Sequence, residues 1–594
     1  MALEPLKSQL RILASEHHRA GRWDDAAACY GEVLALDPGD AACHYLLAFV
    51  EAARGSPDRA RDCVLAALAI EPSNPDFLFL LGELERQRGD LAASIRAFEG
   101  AIQRTQPVPE RLVQLSDLYL AVGRPGAAET RAREAVGMSG ADPEALHMLA
   151  DTVRAQGRAD ESLDIYRAAA AGDAIYTVRH QNLLMTMNYA GALAPDEVFR
   201  AHRDAGRMPN LNPVATKLAS HWPSPPASTG PTRLRVGYVS ADFGHHVVSF
   251  FFEPVAAAHH RDRVEVFCYF TGGVEDEQCA RIRSTGVVWR NVANLAVDDL
   301  VALMRADELH VAVDLSGHTA GNRLEVFARR VAAAQVSWLG YPNTSGVPAI
   351  DFRLTDATCD PVGMTATLHT ETLWRLPRCF LVYRPRDDAP ALTGPPGEVN
   401  GFVTFGCFNR IEKLSTEALR LWARVLAAVP GSRLLLKARN LGEPDLASAI
   451  RARFDAAGGD VARLDLELPT AAFHDHLARY GAIDIALDSH PYCGTTTTCE
   501  ALWMGVPVVT LAGTTHASRV GASLVRAAGV GWLAARDIDE YVATASRLAA
   551  SPGELANLRK SSRTRLQRSE LTDPESMVTA IEKAYYDMAA QAAR

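Results

Sequence analysis

The sequence predicts two architectures in one chain: an α-helical superhelix of repeats, then an α/β region of two parallel-sheet lobes. Three observations point to this. A glycine recurs every 34 residues through the first third. From residue 234 onward, short apolar β-branched runs alternate with helical stretches. Proline-rich breaks at 223–231 and 385–399 separate the blocks. With 594 residues, 48 % hydrophobic and 22 % charged, the chain has ordinary globular composition and material for several cores. Its net charge of −10 disfavours a nucleic-acid polymer or an anionic membrane as a bulk partner, while leaving room for a local basic pocket.

In the first block, Gly21, Gly55, Gly89, Gly123 and Gly157 keep the period. Five residues after each stands a small side chain (Ala26, Ala60, Ser94, Ala128, Ser162). Nine after, a larger one is common: Tyr30, Val64, Phe98 and Tyr166. This resembles the tetratricopeptide repeat, in which the glycine turns the chain between two antiparallel helices and the small residue lets them approach. A lone pair cannot bury its apolar face, so pairs stack into a superhelix. The expectation is five repeats over 1–174, with a concave groove that takes a polypeptide. Residues 175–231 read as a helical bridge and a proline-rich linker.

Strand-like runs at 234–240, 264–270, 311–317 and 335–341 fall in one half, expected at 232–385. Runs at 403–409, 433–437, 483–488 and 506–511 fall in a second, expected at 400–573. Continuous apolar strands between helices indicate parallel sheets covered on both faces, with ligands beyond the carboxyl ends of the strands. Residues 574–594 read as a helix packing back on the first half. No glycine-rich dinucleotide fingerprint or P-loop is present. The ten cysteines form no CxxC pair, so no zinc site is expected. Asp537-Ile-Asp539 sits at a helix start and reads as a cap rather than a metal site. No signal pattern and no apolar run near 20 residues occurs, so a soluble cytoplasmic protein is expected.

Chemistry concentrates at strand ends. Gly494 and the run Thr495, Thr496, Thr497 and Thr498 stand between an apolar strand and a helix containing Glu500. Free backbone N–H groups at a helix start make an anion site, and a phosphate is the natural guest. Arg410 and Lys413 follow the strand at 403–409 and bring positive charge. His246 and His318 follow two strands of the first half, placed for a cleft rather than a core.

Asp242-Phe-Gly-His-His246, Asp314-Leu-Ser-Gly-His318, Trp338-Leu-Gly-Tyr-Pro342, Phe408-Asn-Arg-Ile-Glu-Lys413 and Gly494-Thr-Thr-Thr-Thr-Cys-Glu-Ala-Leu-Trp503 follow the repeats in order. The chain thereby resembles the protein O-linked N-acetylglucosamine transferase family over nearly its whole length. The resemblance implies a GT-B fold of two Rossmann-like lobes. It implies metal-independent, inverting transfer from a nucleotide sugar to Ser or Thr of a protein, with no bound cofactor. It assigns Lys413 to the donor diphosphate, Thr496 and Thr497 to the diphosphate-binding helix start, Glu500 to the ribose, His476 to the base, and His246 to the sugar and acceptor. The match at His318 is looser.

Three positions depart from the animal enzymes of that family: Arg410 replaces glutamine, Thr495 histidine, and Phe473 a lysine near the ribose. All three bear on the donor pocket. UDP-GlcNAc is the favoured donor. A CMP-activated nine-carbon acidic sugar, as in the similar flagellin glycosyltransferases, is the alternative that Arg410 suggests. A repeat scaffold with an inactive transferase fold is the reading from a different class. With no metal, charge on the leaving diphosphate must meet Lys413 and helix-end donors already in place.

Overall fold

The computed structural model describes residues 3–213, 222, 226, 232–470 and 472–592. It divides into two compact units, Met1–Thr152 and Val153–Arg594. The first consists of antiparallel helix pairs, beginning Leu3–Arg19 with Trp23–Leu36 and Ala41–Ala53 with Pro57–Ile70. Each of the five periodic glycines sits between the helices of a pair with φ between +69° and +82°, a conformation that only glycine takes without strain. The small residues Ala26, Ala60, Ser94 and Ala128 are fully buried, as are Val64 and Phe98 four positions on. Proline opens several helices (Pro57, Pro75, Pro109, Pro125) where its missing N–H leaves no intrahelical bond unmade.

The first compact unit ends at Thr152. The fifth pair, Pro143–Arg154 and Ala159–Ala170, straddles the division. Leu163 on its second helix joins the core of the α/β unit with Tyr176, Leu184, Val239 and Phe267. Helices Val178–Met187 and Pro195–Ala205 follow within the second unit. The expected linker at 223–231 lies outside the described residues apart from Pro226.

The first lobe is a seven-stranded parallel sheet in the order β3-β2-β1-β4-β5-β6-β7. Its strands are β1 Leu234–Ser240, β2 Val264–Phe270, β3 Val288–Asn291, β4 Val311–Asp314, β5 Ala334–Ser337, β6 Phe352–Asp356 and β7 Thr372–Leu376. The second is a six-stranded parallel sheet in the order β10-β9-β8-β11-β12-β13. It comprises β8 Thr404–Cys407, β9 Arg433–Lys437, β10 Leu464–Glu467, β11 Ile485–Leu487, β12 Val508–Leu511 and β13 Ala534–Ala535. The strands missed in sequence (β3, β6, β7, β10, β13) are short or partly exposed edge segments, apart from the buried β6 with its embedded Arg353. In each sheet the strand order reverses direction once, between β1 and β4 and between β8 and β11, and such switch points open a crevice for ligand.

Buried polar contacts join the lobes. Ser523 Oγ donates to Asp356 at 2.6 Å, His516 Nδ1 lies 2.7 Å from the Asp360 carboxylate, and Arg519 Nε donates to the Thr358 carbonyl at 2.8 Å. The last helix, Pro574–Ala592, does return to the first lobe: buried Glu582 meets His259 Nδ1 and the His260 N–H, each at 2.9 Å. No helix of the described residues is long and apolar enough to cross a membrane.

Close helix approach makes the repeat unit sensitive at Gly82, where an added Cβ would stand 2.4 Å from the Phe98 ring. Gly82→Ala should destabilise the repeat unit by about 1–3 kcal/mol through overpacking, seen as a lowered melting midpoint. The control Gly100→Ala, whose Cβ would meet nothing closer than 3.5 Å, should leave the midpoint unchanged or raise it.

Candidate functional site

The two loops at the switch point of the second sheet carry the site. After β8 the chain runs through Asn409 and Arg410 into a single turn, Ile411–Lys413. After β11 it passes Asp488 and loops back to helix Thr496–Trp503. Asn409 straps the loops together: its Oδ1 accepts from Thr497 Oγ1 at 2.6 Å and its Nδ2 donates to Ser489 Oγ at 3.0 Å. Buried Asp488 accepts from the Gly494 N–H at 2.7 Å, the Ser489 N–H at 2.9 Å and Thr510 Oγ1 at 2.8 Å.

Gly494 is dictated by crowding, because a Cβ there would lie 2.5 Å from Thr497 Oγ1 and 3.0 Å from Asn409 Oδ1. The threonine run does not cap its helix in the ordinary way. Thr495 occupies the cap position without a side-chain cap bond, so the first-turn N–H groups keep their positive ends for a ligand. Thr498 instead returns its hydroxyl to the Gly494 carbonyl at 3.1 Å.

Lys413 reaches the same loop. Its Nζ donates to the Cys493 carbonyl at 2.7 Å and lies 3.9 Å from the centre of the Tyr492 ring, which stacks on Tyr189 at 5.1 Å. Burial lowers its pKa to about 8, with the Asp488 charge opposing. The ammonium is therefore charged at neutral pH and under-solvated, a state that favours an incoming anion.

On the helix behind, Glu500 is buried and its Oε2 meets His476 Nε2 at 3.0 Å and Tyr480 OH at 3.2 Å. Arg410 extends into solvent and pairs with Glu412 at 2.7 Å. Across the cleft on the first lobe, His246 follows β1, half exposed, with Nδ1 3.5 Å from Asp242. Burial lowers its pKa, Asp242 pulls it back, and the Arg410 charge lowers it further.

The structure thus brings together Lys413, Thr495, Thr496, Thr497, Glu500 and His476, with Arg410 and His246 at the cleft. It does not bring His318 there. His318 is fully buried, its Nδ1 bonded to Tyr176 OH and its Nε2 to the Ser345 carbonyl, both at 2.8 Å. Burial holds its pKa at about 3, so it stays neutral. Both ring nitrogens are spent on structure, which corrects the expectation of a cleft role. Asp539 of the Asp-Ile-Asp segment pairs with Arg424, while Asp537 caps the Glu540 N–H. Among the described residues no three metal-ligating side chains converge. Sequence reasoning left Asn409, Asp488, Tyr492 and Lys437 unassigned. Each lies at or just past the carboxyl end of a parallel strand, the one signal that marked them.

A model of glycosyl transferase family 41 matches residues 213–393 and 397–581, more than half of the chain. Tetratricopeptide repeat models match 17–84 and 113–174. The chain is 40 % identical over 417 residues to the probable UDP-N-acetylglucosamine–peptide N-acetylglucosaminyltransferase SPINDLY of Solanum lycopersicum, covering 69 % of this chain and 44 % of that protein. The Arabidopsis thaliana SPINDLY is likewise 40 % identical, over 418 residues and the same shares. The chain therefore spans less than half the length of these relatives. Among solved structures, an O-GlcNAc transferase of Thermobaculum terrenum bearing a lysine-to-methionine substitution is 35 % identical. It superposes with a TM-score of 0.79 over 87 % of this chain and 98 % of its own.

Gly494→Ala should weaken anion binding at this loop about tenfold or more, because shifting the helix start removes at least one charge-assisted contact. Calorimetric titration with nucleoside diphosphates, beside an unchanged circular-dichroism spectrum, measures this.

Proposed function

The chain belongs to glycosyl transferase family 41, and we propose that it transfers a sugar from a nucleotide-sugar donor to Ser or Thr hydroxyls of a protein, with inversion at the anomeric carbon and without a metal. The observation that carries the reading is the convergence of the Lys413 ammonium and the uncapped start of helix Thr496–Trp503 on the loop that holds Gly494. Breaking the anomeric C–O bond leaves negative charge on the diphosphate. Lys413 and the first-turn N–H groups stand ready for it, so little reorganisation accompanies the step. They supply the positive charge that a divalent cation supplies in other transferases.

The acceptor hydroxyl attacks from the opposite face and must lose its proton. His246, kept neutral at pH 7 and half exposed on the facing lobe, is the group we assign to receive it. In this reading Glu500, whose carboxylate is ordered by His476 and Tyr480, takes the ribose. The names of the relatives favour UDP-GlcNAc as donor. The ion pair of Arg410 with Glu412 offsets the charge that suggested an acidic sugar, which also supports a neutral one. The groove of the repeat array selects the protein acceptor in this reading. The intact Lys413, Asp488 and Thr497 contacts weigh against an inactive scaffold.

A thermal-shift panel of UDP, CMP and GDP tests the donor. A nucleotide at 100 times its Kd should stabilise the fold by about 2.7 kcal/mol. Selective stabilisation by UDP is expected, selective stabilisation by CMP or GDP would replace the donor, and no shift from any would remove the transferase reading. Lys413→Ala should abolish transfer and lower the melting midpoint, since buried Asp488 loses a facing charge, while the circular-dichroism spectrum below the melt stays unchanged. In the wild type, kcat/KM should fall as pH rises through about 8, where free Lys413 loses its charge, and fall again on the acid side below the ordinary histidine value as His246 protonates. A profile flat from pH 7 to 9 would exclude Lys413 as the diphosphate partner.

A further inference from the structure

Lys437 ends β9, the strand beside β8, and only 3 % of it is exposed. A lysine is rarely buried to this degree unless it is paired. Its Nζ donates to His476 Nδ1 at 2.7 Å and lies 4.6 Å from the centre of the Phe408 ring. An ammonium has no lone pair, so Nδ1 must accept and the imidazole proton must sit on Nε2. That nitrogen is the one 3.0 Å from Glu500. One cation therefore fixes both the tautomer and the rotation of the ring.

The charged groups facing Lys437 come from three elements. Glu467 on β10 is ion-paired with Arg479, which follows helix Phe473–Ala478. Glu500 on helix Thr496–Trp503 is left as the counter-charge, reached through His476. Phe473 lines the other side, its ring 5.5 Å from His476 and stacked under Arg386 at 5.0 Å. The helix that carries His476 thus offers an aromatic ring at 473, and the ammonium arrives from the neighbouring strand.

We propose that Lys437 is a positioning residue of the donor site: its buried ammonium holds the His476 ring so that Nε2 faces Glu500, and the pair so ordered grips the ribose end of the nucleotide. This rests on the donor-site reading above. It adds a residue that acts through His476 and touches no reacting atom. Burial lowers the Lys437 pKa to about 8, Glu500 opposing, so the hold weakens in mild alkali.

The test compares wild type, Lys437→Met and Lys437→Arg. UDP, CMP and GDP are each titrated calorimetrically, and donor KM and kcat are measured with UDP-GlcNAc. Lys437→Met should raise the Kd of whichever nucleotide binds, and the donor KM, about tenfold, with kcat within about twofold, the size of one lost charge-assisted contact. Lys437→Arg should restore most of the affinity. Wild-type Kd should weaken from pH 7 to 9, and the arginine variant, always charged at 437, should weaken less, keeping only the part set by Lys413. A crystal structure of Lys437→Met should show the His476 ring turned away from Glu500. Unchanged nucleotide affinity with only a lowered melt, or a His476–Glu500 contact retained in that crystal structure, overturns the proposal. If the wild type binds no nucleotide, the donor reading fails, and the crystal structure still decides whether Lys437 orders His476.

Discussion

The site hangs on one buried carboxylate. Asp488 stands at the carboxyl end of β11, where the sheet order reverses, and takes three hydrogen bonds from Ser489, Gly494 and Thr510. Its own carbonyl accepts from Tyr541 OH at 3.3 Å. These bonds curl the loop back so that the start of helix Thr496–Trp503 and the Cys493 carbonyl face the crevice. Burial pushes the Asp488 pKa up, and its three donors and Lys413 pull it back. A buried charge is tolerated only when matched. The three hydrogen bonds supply most of that match and the Lys413 charge adds to it, while the Lys413 Nζ itself bonds the Cys493 carbonyl at 2.7 Å.

The seam between the lobes does for the cleft what Asp488 does for the loop. Asp356 with Ser523 and Asp360 with His516 place side chains of one lobe on donors of the other. Glu582 binds the last helix to the back of the first sheet through two consecutive histidines. The Asp356 and Asp360 contacts are buried and polar, so sliding the lobes would leave charges unpaired at a cost of several kcal/mol. His246 and Arg410 come from different lobes, so the effect of the Arg410 charge on His246 depends on that seam.

Particular residues show what could be read early. The five glycines announced their turns because a left-handed φ leaves glycine almost alone as a choice, and Gly494 was legible for a related reason, close approach. Lys413 and the threonine run were legible because strand-end position and helix-start chemistry are local. His318 misled because a histidine after a strand has the same sequence whether it faces solvent or core. Tyr176 and Ser345, which bury it, are 142 and 27 residues away. Lys437 went unassigned because β9 reads as a plain apolar strand, and its partners His476 and Glu500 lie 39 residues and more downstream.

By itself the sequence determined the repeat period, the two parallel sheets, and the residue types that gather at the strand ends. Those follow from backbone dihedrals, side-chain periodicity and helix-end charge, all set within a few residues. Only the tertiary structure decided which strand-end residues share a crevice, which histidine stays half exposed and which is sealed in the core, and where the first compact unit ends. These outcomes depend on burial, and burial is set by neighbours distant in sequence that remove water and shift the balance between a charge and its partner.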